Sequence, residues 1–504
     1  MPLNGPQQTQ STARRVRVQA RRHHHIHKDA QPMAKKKMNV LVLNSDSFRR
    51  DNLTCYGGTH VHTPRLDELA SNSLIFDEVI TGSFPTLPNR TDIFLGTWTF
   101  PNKPWSPLDR NVPCLAQMLS KAGVATALEI DTPHMCSIGG YFERGFDSWR
   151  WERGLSSDAL PSKGLSDKMI VEGDDDKTLF SWQVKRHLAS QIIHKRLRDE
   201  DWSCARLARN AVENLKFLRD TEQFFLWVDM FQPHEPFDPP RHYFDMYYPE
   251  YKDIIYIQPI YGKASAYSKK ELLAIRAAYL GLTTMVDYWL GYILDHLVLY
   301  GLDETTTIIF VSDHGLAYGD HGYTGKCQEP LFENIVRLPL LISTPEMRVQ
   351  GKSRRASQLV QPVDLTPTIL DLLGVKPFQE WAPEGVSLMP IIQGKPMKTR
   401  DTCFTGSHHY EPDPAIPAGH LRISTERWAL VFPPYYDEVG RPMPMLYDVK
   451  KDPMETRNVI KQHMDVAMDL YQRYVAFYKR HNKTGEDVPV PDPQKLMKDG
   501  IRVP

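Results

Sequence analysis

Three short runs, residues 38–44 (MNVLVLN), Phe224–Met230 (FFLWVDM) and Thr306–Val311 (TTIIFV), are continuously apolar rather than alternating. A strand that is apolar at nearly every position has both faces covered, and strands of that kind belong to parallel sheets sandwiched between helices. The intervening segments fit that architecture. Thr63-Pro64 supplies a helix start, with Leu66, Leu69, Ala70 and Leu74 following at helical spacing. Phe76–Ile80 is a second strand, Pro113–Ala122 a helix and Ala125–Ile130 another strand. Glu271–Tyr300 has the pattern of a long amphipathic helix, Leu338–Ile342 that of a strand, and Asp364–Leu373 that of a helix stopped by Gly374. Such alternation predicts an α/β fold with a doubly wound mixed sheet flanked by helices.

The texture changes after about residue 400. Pro412, Pro414, Pro417, Pro433, Pro434, Pro442 and Pro444 interrupt short strand-like pieces such as Trp428–Phe432, and a last helix is expected over His463–Tyr478. The expected division is a basic disordered tail over residues 1–37, a catalytic domain over 38–400 and a smaller α+β subdomain over 401–504. In the tail, Arg14, Arg15, Arg17, Arg21, Arg22 and His23–His25 precede the first acidic residue, Asp29. It reads as a transit-like segment, an interaction tail, or upstream sequence ahead of a start near Met33; upstream sequence or a plain disordered tail fits best, because the segment has few apolar residues with which to fold.

Lys+Arg and Asp+Glu both number 61, so no global field recruits nucleic acid or an anionic membrane, and any recognition of charge must be local. Cys55, Cys114, Cys136, Cys204, Cys327 and Cys403 lie far apart without a CxxC pair, which predicts buried free thiols rather than a zinc knuckle or a disulfide scaffold. No apolar stretch has the length of a membrane span, and the N-terminus lacks the apolar core of a signal peptide. A cytoplasmic location is the default expectation.

In an open α/β sheet the ligand site lies beyond the carboxyl ends of the strands. Asp46, His234 and Asp313-His314 all follow such runs and are expected to converge there. An Asp and a His at the end of a buried strand, followed by Gly315 that admits close backbone approach, can offer oxygen and nitrogen ligands to one divalent cation, with Asp46 completing an acid pair. In Thr86-Leu-Pro-Asn-Arg90, Thr86 could be a hydroxyl nucleophile at a helix start, with Arg90 one turn on steadying an incoming anion. On those five residues alone, an N-cap threonine with a surface arginine is the better reading.

The whole pattern reverses that preference, because it resembles the sulfatase family of the alkaline-phosphatase superfamily. Asp46-Ser-Phe-Arg-Arg-Asp51 with Cys55-Tyr-Gly57 and Thr63-Pro-Arg-Leu-Asp67 resembles the family's opening motif, and Thr86-Leu-Pro-Asn-Arg90 stands where sulfatases carry Cys/Ser-x-Pro-x-Arg. Pro233-His-Glu-Pro236, Val311–Gly322 with Gly325-Lys326, Asp364-Leu-Thr-Pro-Thr368, Gly385-Val-Ser-Leu388, and Leu446-Tyr-Asp448 with Asp452-Pro453 resemble later landmarks in the expected order, over roughly residues 38–460. The likeness implies a sulfatase-like sheet with a smaller C-terminal subdomain. It implies that Asp46, Asp313 and His314 hold a divalent cation facing Thr86: calcium, magnesium or manganese, with zinc as the remaining alternative. Arg90, His234 and Lys326 would bind the substrate's anionic oxygens or assist the leaving group.

Three departures matter. Ser47 takes the place of a second ligating aspartate. Asp131 stands where a lysine is usual in Thr126–His134, so one anion-binding charge is lost; His134 is then an acid-base candidate or a satisfied loop histidine, and Asp131 a candidate to hold its tautomer. Thr86 replaces the residue that sulfatases oxidise to an aldehyde, and threonine cannot become one. A covalent ester on Thr86 must therefore be cleaved by in-line attack of water on the central atom, which phosphorus tolerates well. Hydrolysis of phosphate or phosphonate esters, including diesters, thus ranks above sulfate ester hydrolysis without formylglycine, a non-catalytic binding protein and a phosphotransferase. The partner is a small anionic ester, not nucleic acid or membrane, and a homo-oligomer stays open. Phe244–Tyr261 reads as aromatic packing before pocket lining, and His321, His408 and His409 as substrate contacts at most.

Overall fold

The computed structural model describes residues 37–499 apart from residues 137–138, 157, 159–162, 174, 327–329, 382, 408–419, 433–442 and 486–491. The basic tail ahead of Lys37, Cys327, His408 and His409 lie outside the described residues.

Numbered along the chain, the first strands are β1 (Asn39–Ser45), β2 (Leu74–Val79), β3 (Ala125–Ile130), β4 (Ser148–Trp151), β5 (Phe224–Met230), β6 (Gly262–Lys263), β7 (Thr306–Val311) and β8 (Ala317–Tyr318). They are followed by β9 (Tyr323–Gly325), β10 (Leu340–Ser343), β11 (Arg354–Val360), β12 (Cys403–Gly406), β13 (Leu421–Ser424), β14 (Trp428–Phe432) and β15 (Met445–Asp448). Eight form the main sheet, in the order β11-β2-β10-β7-β1-β5-β3-β4. From β7 to β4 all neighbours are parallel, and β10 runs antiparallel to both β7 and β2.

Both faces of β1 are covered, as its unbroken apolar run requires. Leu41 and Leu43 join a core with the helices Ser203–Leu218 and Lys269–Leu299. Val40 and Val42 point the other way, against the helices Thr86–Leu95, Leu115–Lys121 and Leu365–Leu373. The long helix starts at a reciprocal cap: Ser268 Oγ accepts from the Glu271 N–H, and the Glu271 carboxylate accepts from the Ser268 N–H. The helix Leu365–Leu373 stops at Gly374, whose φ of 68° is one that glycine adopts at little cost.

Register places the site. Asn44 pairs with Asp229 of β5 on one side and with Val311 of β7 on the other. Because all three strands run parallel, Asp46 emerges beside Asp313, two residues further on in each strand. The C-terminal subdomain is an antiparallel sheet, β12-β13-β14-β15, whose apolar side packs on the helix Met464–His481.

Several boundaries differ from expectation. The second strand begins at Leu74 rather than Phe76, and the last helix runs on to His481. Thr63 does precede a helix with Pro64 at its first position, but its hydroxyl donates to the Asn52 carbonyl instead of capping the helix. Five of the cysteines are free thiols, of which Cys114, Cys204 and Cys403 are buried and Cys55 and Cys136 half-buried.

Candidate active site

Asp46, Asp313 and His314 converge at the carboxyl ends of β1 and β7, and one ligand atom from each lies within 4.8 Å of the other two. All three side chains are fully buried. His314 Nδ1 donates to the Gly315 carbonyl at 2.8 Å, which leaves the lone pair on Nε2. That nitrogen lies 3.5 Å from Asp313 Oδ2 and 3.9 Å from Asp46 Oδ1. Burial, with Lys326 and Arg90 nearby, pushes the His314 imidazole down to about 3 despite Asp313, so the ring is neutral. Gly315 permits the crossing at this point: a Cβ there would sit 1.9 Å from the Asn334 carbonyl oxygen.

Thr86 is the first residue of the helix Thr86–Leu95, with Pro85 as its N-cap. Its hydroxyl oxygen lies 3.4 Å from His314 Nε2. Ser47 turns the chain just after Asp46 with a φ of 58°, unusual for a residue with a side chain, and its N–H donates to Asp313 at 3.0 Å. Ser47 Oγ donates to Asp46 Oδ1 at 2.8 Å and lies 3.3 Å from Lys326 Nζ.

Arg90 differs from both of its sequence readings. It is fully buried, and its donors reach inward instead of toward an incoming anion. Nε and Nη2 donate to Asp229, and Nη1 donates to Asp313 at 2.5 Å and to the Thr86 carbonyl. Asp46 Oδ2 lies 3.2 Å from Nη2. The physical reason is charge: three buried carboxylates crowd this point, and a planar guanidinium answers several at once. Asp229 was invisible as a site residue, although an acid within the apolar run FFLWVDM was its signal. It also accepts from Asn44, Trp227 and Thr132.

Burial and the neighbouring Asp313 raise the Asp46 carboxyl well above its ordinary range, while His314, Arg90 and the Ser47 N–H hold Asp313 below it against its own burial. Asp131 does not touch His134, contrary to expectation. Its oxygens accept from the Phe231 N–H at 2.6 Å and from Ser203 Oγ at 2.8 Å, so it ties β3 to the chain beyond β5. The half-buried ring of His134 meets Trp105 and Phe231 edge-on instead, at centroid distances of 5.3 and 5.7 Å. Burial, Lys326 and Arg90 lower its imidazole to about 3.

His234 stacks on Phe231 at 4.0 Å, and its Nδ1 donates to the Glu235 carbonyl at 2.6 Å, leaving the lone pair on Nε2. Burial and then Lys326 hold it neutral. Lys326 is 3 % exposed, and its Nζ lies 4.0 Å from the buried carboxylate of Glu235, which also accepts from the Tyr261 hydroxyl. Neither Glu235 nor Tyr261 stood out in the sequence. His321 lies elsewhere, stacked on Phe332 at 3.9 Å.

Set beside known proteins, residues 38–375 match the family model for sulfatases. The chain belongs to the sulfatase family. It is an ester hydrolase, acting on sulfuric or phosphoric esters. The model for the N-sulphoglucosamine sulphohydrolase C-terminal region matches residues 319–479 of this sulfatase-family chain. The arylsulfatase of Clostridium perfringens is 26% identical over 475 residues, covering 84% of this chain and 90% of the relative. The multifunctional alkaline phosphatase superfamily protein PehA of Trinickia caryophylli is 26% identical over 495 residues, with coverage of 84% and 91%. The crystal structure of the phosphonate monoester hydrolase of Agrobacterium radiobacter shares the fold, with a TM-score of 0.70 over 88% of this chain and 96% of that one, at 24% identity. No helix among the described residues is long and apolar enough to cross a membrane.

Proposed function

We propose that this sulfatase-family enzyme hydrolyses monoanionic phosphorus esters, phosphonate monoesters or phosphodiesters, through a covalent intermediate on Thr86. The observation that carries the reading is the placement of the Thr86 hydroxyl 3.4 Å from His314 Nε2, beside two buried carboxylates.

Family members use divalent metal ions, and the residues here suit one. Asp46 Oδ2 is buried and, beyond its ion pair with Arg90, accepts no hydrogen bond; His314 Nε2, with its lone pair free of the Gly315 contact, lies 3.9 Å from Asp46 Oδ1, and two carboxylates with one imidazole form an oxygen-nitrogen donor set. Asp46, Asp313 and His314 would hold the ion, which supplies positive charge that lowers the cost of a Thr86 alkoxide and polarises an ester oxygen.

The remaining steps belong to the chain. Thr86 Oγ attacks phosphorus, the bond from phosphorus to the leaving oxygen breaks, and the alcohol departs carrying a proton. Water then attacks phosphorus in line and displaces the Thr86 oxygen, restoring the hydroxyl. Lys326 faces the substrate's oxygens, while Arg90 orders the carboxylates and the first turn of the nucleophile's helix. His134 and His234, both neutral, are positioned to accept or relay protons.

Charge supports a monoanion. Among the described residues, the carboxylates of Asp46, Asp229, Asp313 and Glu235 face the cations Arg90 and Lys326, and one divalent ion balances the group. The group is then neutral before the ester binds, so every negative charge the ester carries is unmatched there, and a monoanion costs less than a doubly charged phosphate monoester. Phosphorus is preferred to sulfur because threonine cannot supply an aldehyde hydrate, so product release needs a second displacement. PehA and the phosphonate monoester hydrolase of similar fold lend weight to that choice.

The test is turnover of nitrophenyl phenylphosphonate, bis(nitrophenyl) phosphate, nitrophenyl phosphate and nitrophenyl sulfate across several divalent metals, beside Thr86→Ala. Phosphonate or diester turnover that Thr86→Ala abolishes supports the proposal. Turnover of sulfate alone would show the sulfatase reading to be right, and inactivity toward every ester in a folded, metal-loaded protein would favour a binding role.

A further inference from the structure

We infer that Glu235, itself anchored by Tyr261, positions the Lys326 ammonium against the substrate, so that a buried acid outside the metal site sets the geometry of the site's lysine cation. The inference rests on the reading that Lys326 meets the ester oxygens.

Lysine carries its charge on a flexible four-carbon stem, and an ammonium without a fixed counterpart does not hold one position. Lys326 lies just past the end of β9, where backbone pairing stops. Contacts to described residues on two sides hold its head: Ser47 Oγ at 3.3 Å on the metal side and Glu235 Oε1 at 4.0 Å on the other. Glu235 is 2 % exposed, and a carboxylate so buried must be answered by donors or cations. The Tyr261 hydroxyl donates to the same oxygen that faces Lys326.

The small sheet β6-β9-β8 builds this arrangement. Gly262 pairs with Thr324, which sets Tyr261 beside Gly325, the residue before Lys326. Thr324 Oγ1 donates to the Ile260 carbonyl at 2.8 Å, a second tie between the two segments. The Tyr261 ring lies over Gly325 so closely that a Cβ there would come within 2.1 Å of it, and Gly325 has a φ of 88°. The residue carrying the cation and the residue orienting its acid are thus held by one local structure. Glu235 also neighbours His234, whose Nδ1 lies 3.4 Å from its Oε2, so the acid sits between two groups that face the substrate.

A double-mutant cycle distinguishes positioning from a structural role. On an active phosphonate ester, Glu235→Gln should lower kcat by about tenfold or more with KM changed by less than about threefold. Lys326→Ala should do the same, and adding Glu235→Gln to Lys326→Ala should cost almost nothing further, because there is no ammonium left to place. Tyr261→Phe should give a smaller loss in kcat that likewise vanishes in the Lys326→Ala background; it keeps the buried charge pair intact and carries the test where Glu235→Gln fails to fold. Equal fractional losses in both backgrounds would overturn the assignment. If coupling persists but Thr86→Ala retains turnover, the nucleophile reading fails while the Glu235 assignment stands. If Thr86→Ala is inactive and the cycle is additive, the reverse holds.

Discussion

The hydroxyl oxygen of Thr86 lies 3.4 Å from His314 Nε2, across 228 positions of sequence. Two independent structures bring them together, a helix start after Pro85 and the end of strand β7. The imidazole is oriented by the carbonyl of its own neighbour, Gly315.

The Asp46–Asp313 pair should make stability respond to metal and pH together. Burial and Asp313 raise the Asp46 carboxyl, so in chelator-treated protein its protonated form favours folding, and that contribution is lost as pH rises through the raised value. Thermal unfolding should show apo protein weakening above the ordinary carboxylate range. Added divalent metal should restore about 2–3 kcal/mol near a hundredfold excess over its dissociation constant. Asp46→Asn should abolish the metal response and reduce the pH dependence.

Arg90 is the buried cation on which Asp229 and Asp313 depend. Arg90→Ala leaves those carboxylates uncompensated and should cost roughly 3–5 kcal/mol in denaturant unfolding. Arg90→Lys keeps the charge but not the planar fork, so it should still lose on the order of 1–2 kcal/mol and most of the activity.

Asp131 gives a pH effect of its own. Burial pushes its carboxyl up to about 7 in the folded chain, against about 4 when unfolded. The neutral form is therefore favoured on folding; that stabilisation is fully present below about pH 4 and is lost as pH rises through 7. Asp131→Asn can still accept from the Phe231 N–H, and the gain in stability of the variant over the parent should grow from pH 5 to pH 8, reaching roughly 1–3 kcal/mol. A gap that stays constant over that range would contradict the assignment.

Gly315→Ala should be costly although its backbone is not left-handed. The added methyl would meet the Asn334 carbonyl oxygen at 1.9 Å, and that backbone must move to admit it. A loss of about 1–3 kcal/mol is expected, with weaker metal affinity because His314 is held by the Gly315 carbonyl. Isothermal titration with manganese measures the second effect.

Much of this site was legible because burial writes itself into composition. Strands β1, β5 and β7 are apolar on both faces, so their runs stood out, and the residues that follow them had to share one edge of the sheet. What stayed hidden depends on pairing between distant segments. Arg90 read as a residue meeting the substrate's anion, or on its five residues alone as a surface arginine, because Asp229, which turns it inward, lies far along the chain on β5 and passed for a strand residue. The antiparallel insertion of β10 between β7 and β2 follows from strand order, which local patterning does not encode. Glu235 and Tyr261 looked like loop and packing residues, since their meeting with Lys326 depends on β6 and β9, which are too short to leave a periodic signal.

The most direct test is to identify the residue that carries the substrate's phosphorus during turnover. Acid-quenched protein from a steady-state reaction with nitrophenyl phenylphosphonate would be digested, and the peptide bearing Thr86 sequenced by mass spectrometry. A phenylphosphonyl group on the Thr86 oxygen, absent from Thr86→Ala, is the expected result. Its presence on another residue, or rapid turnover with Thr86 unmodified throughout and dispensable in the variant, would contradict the account.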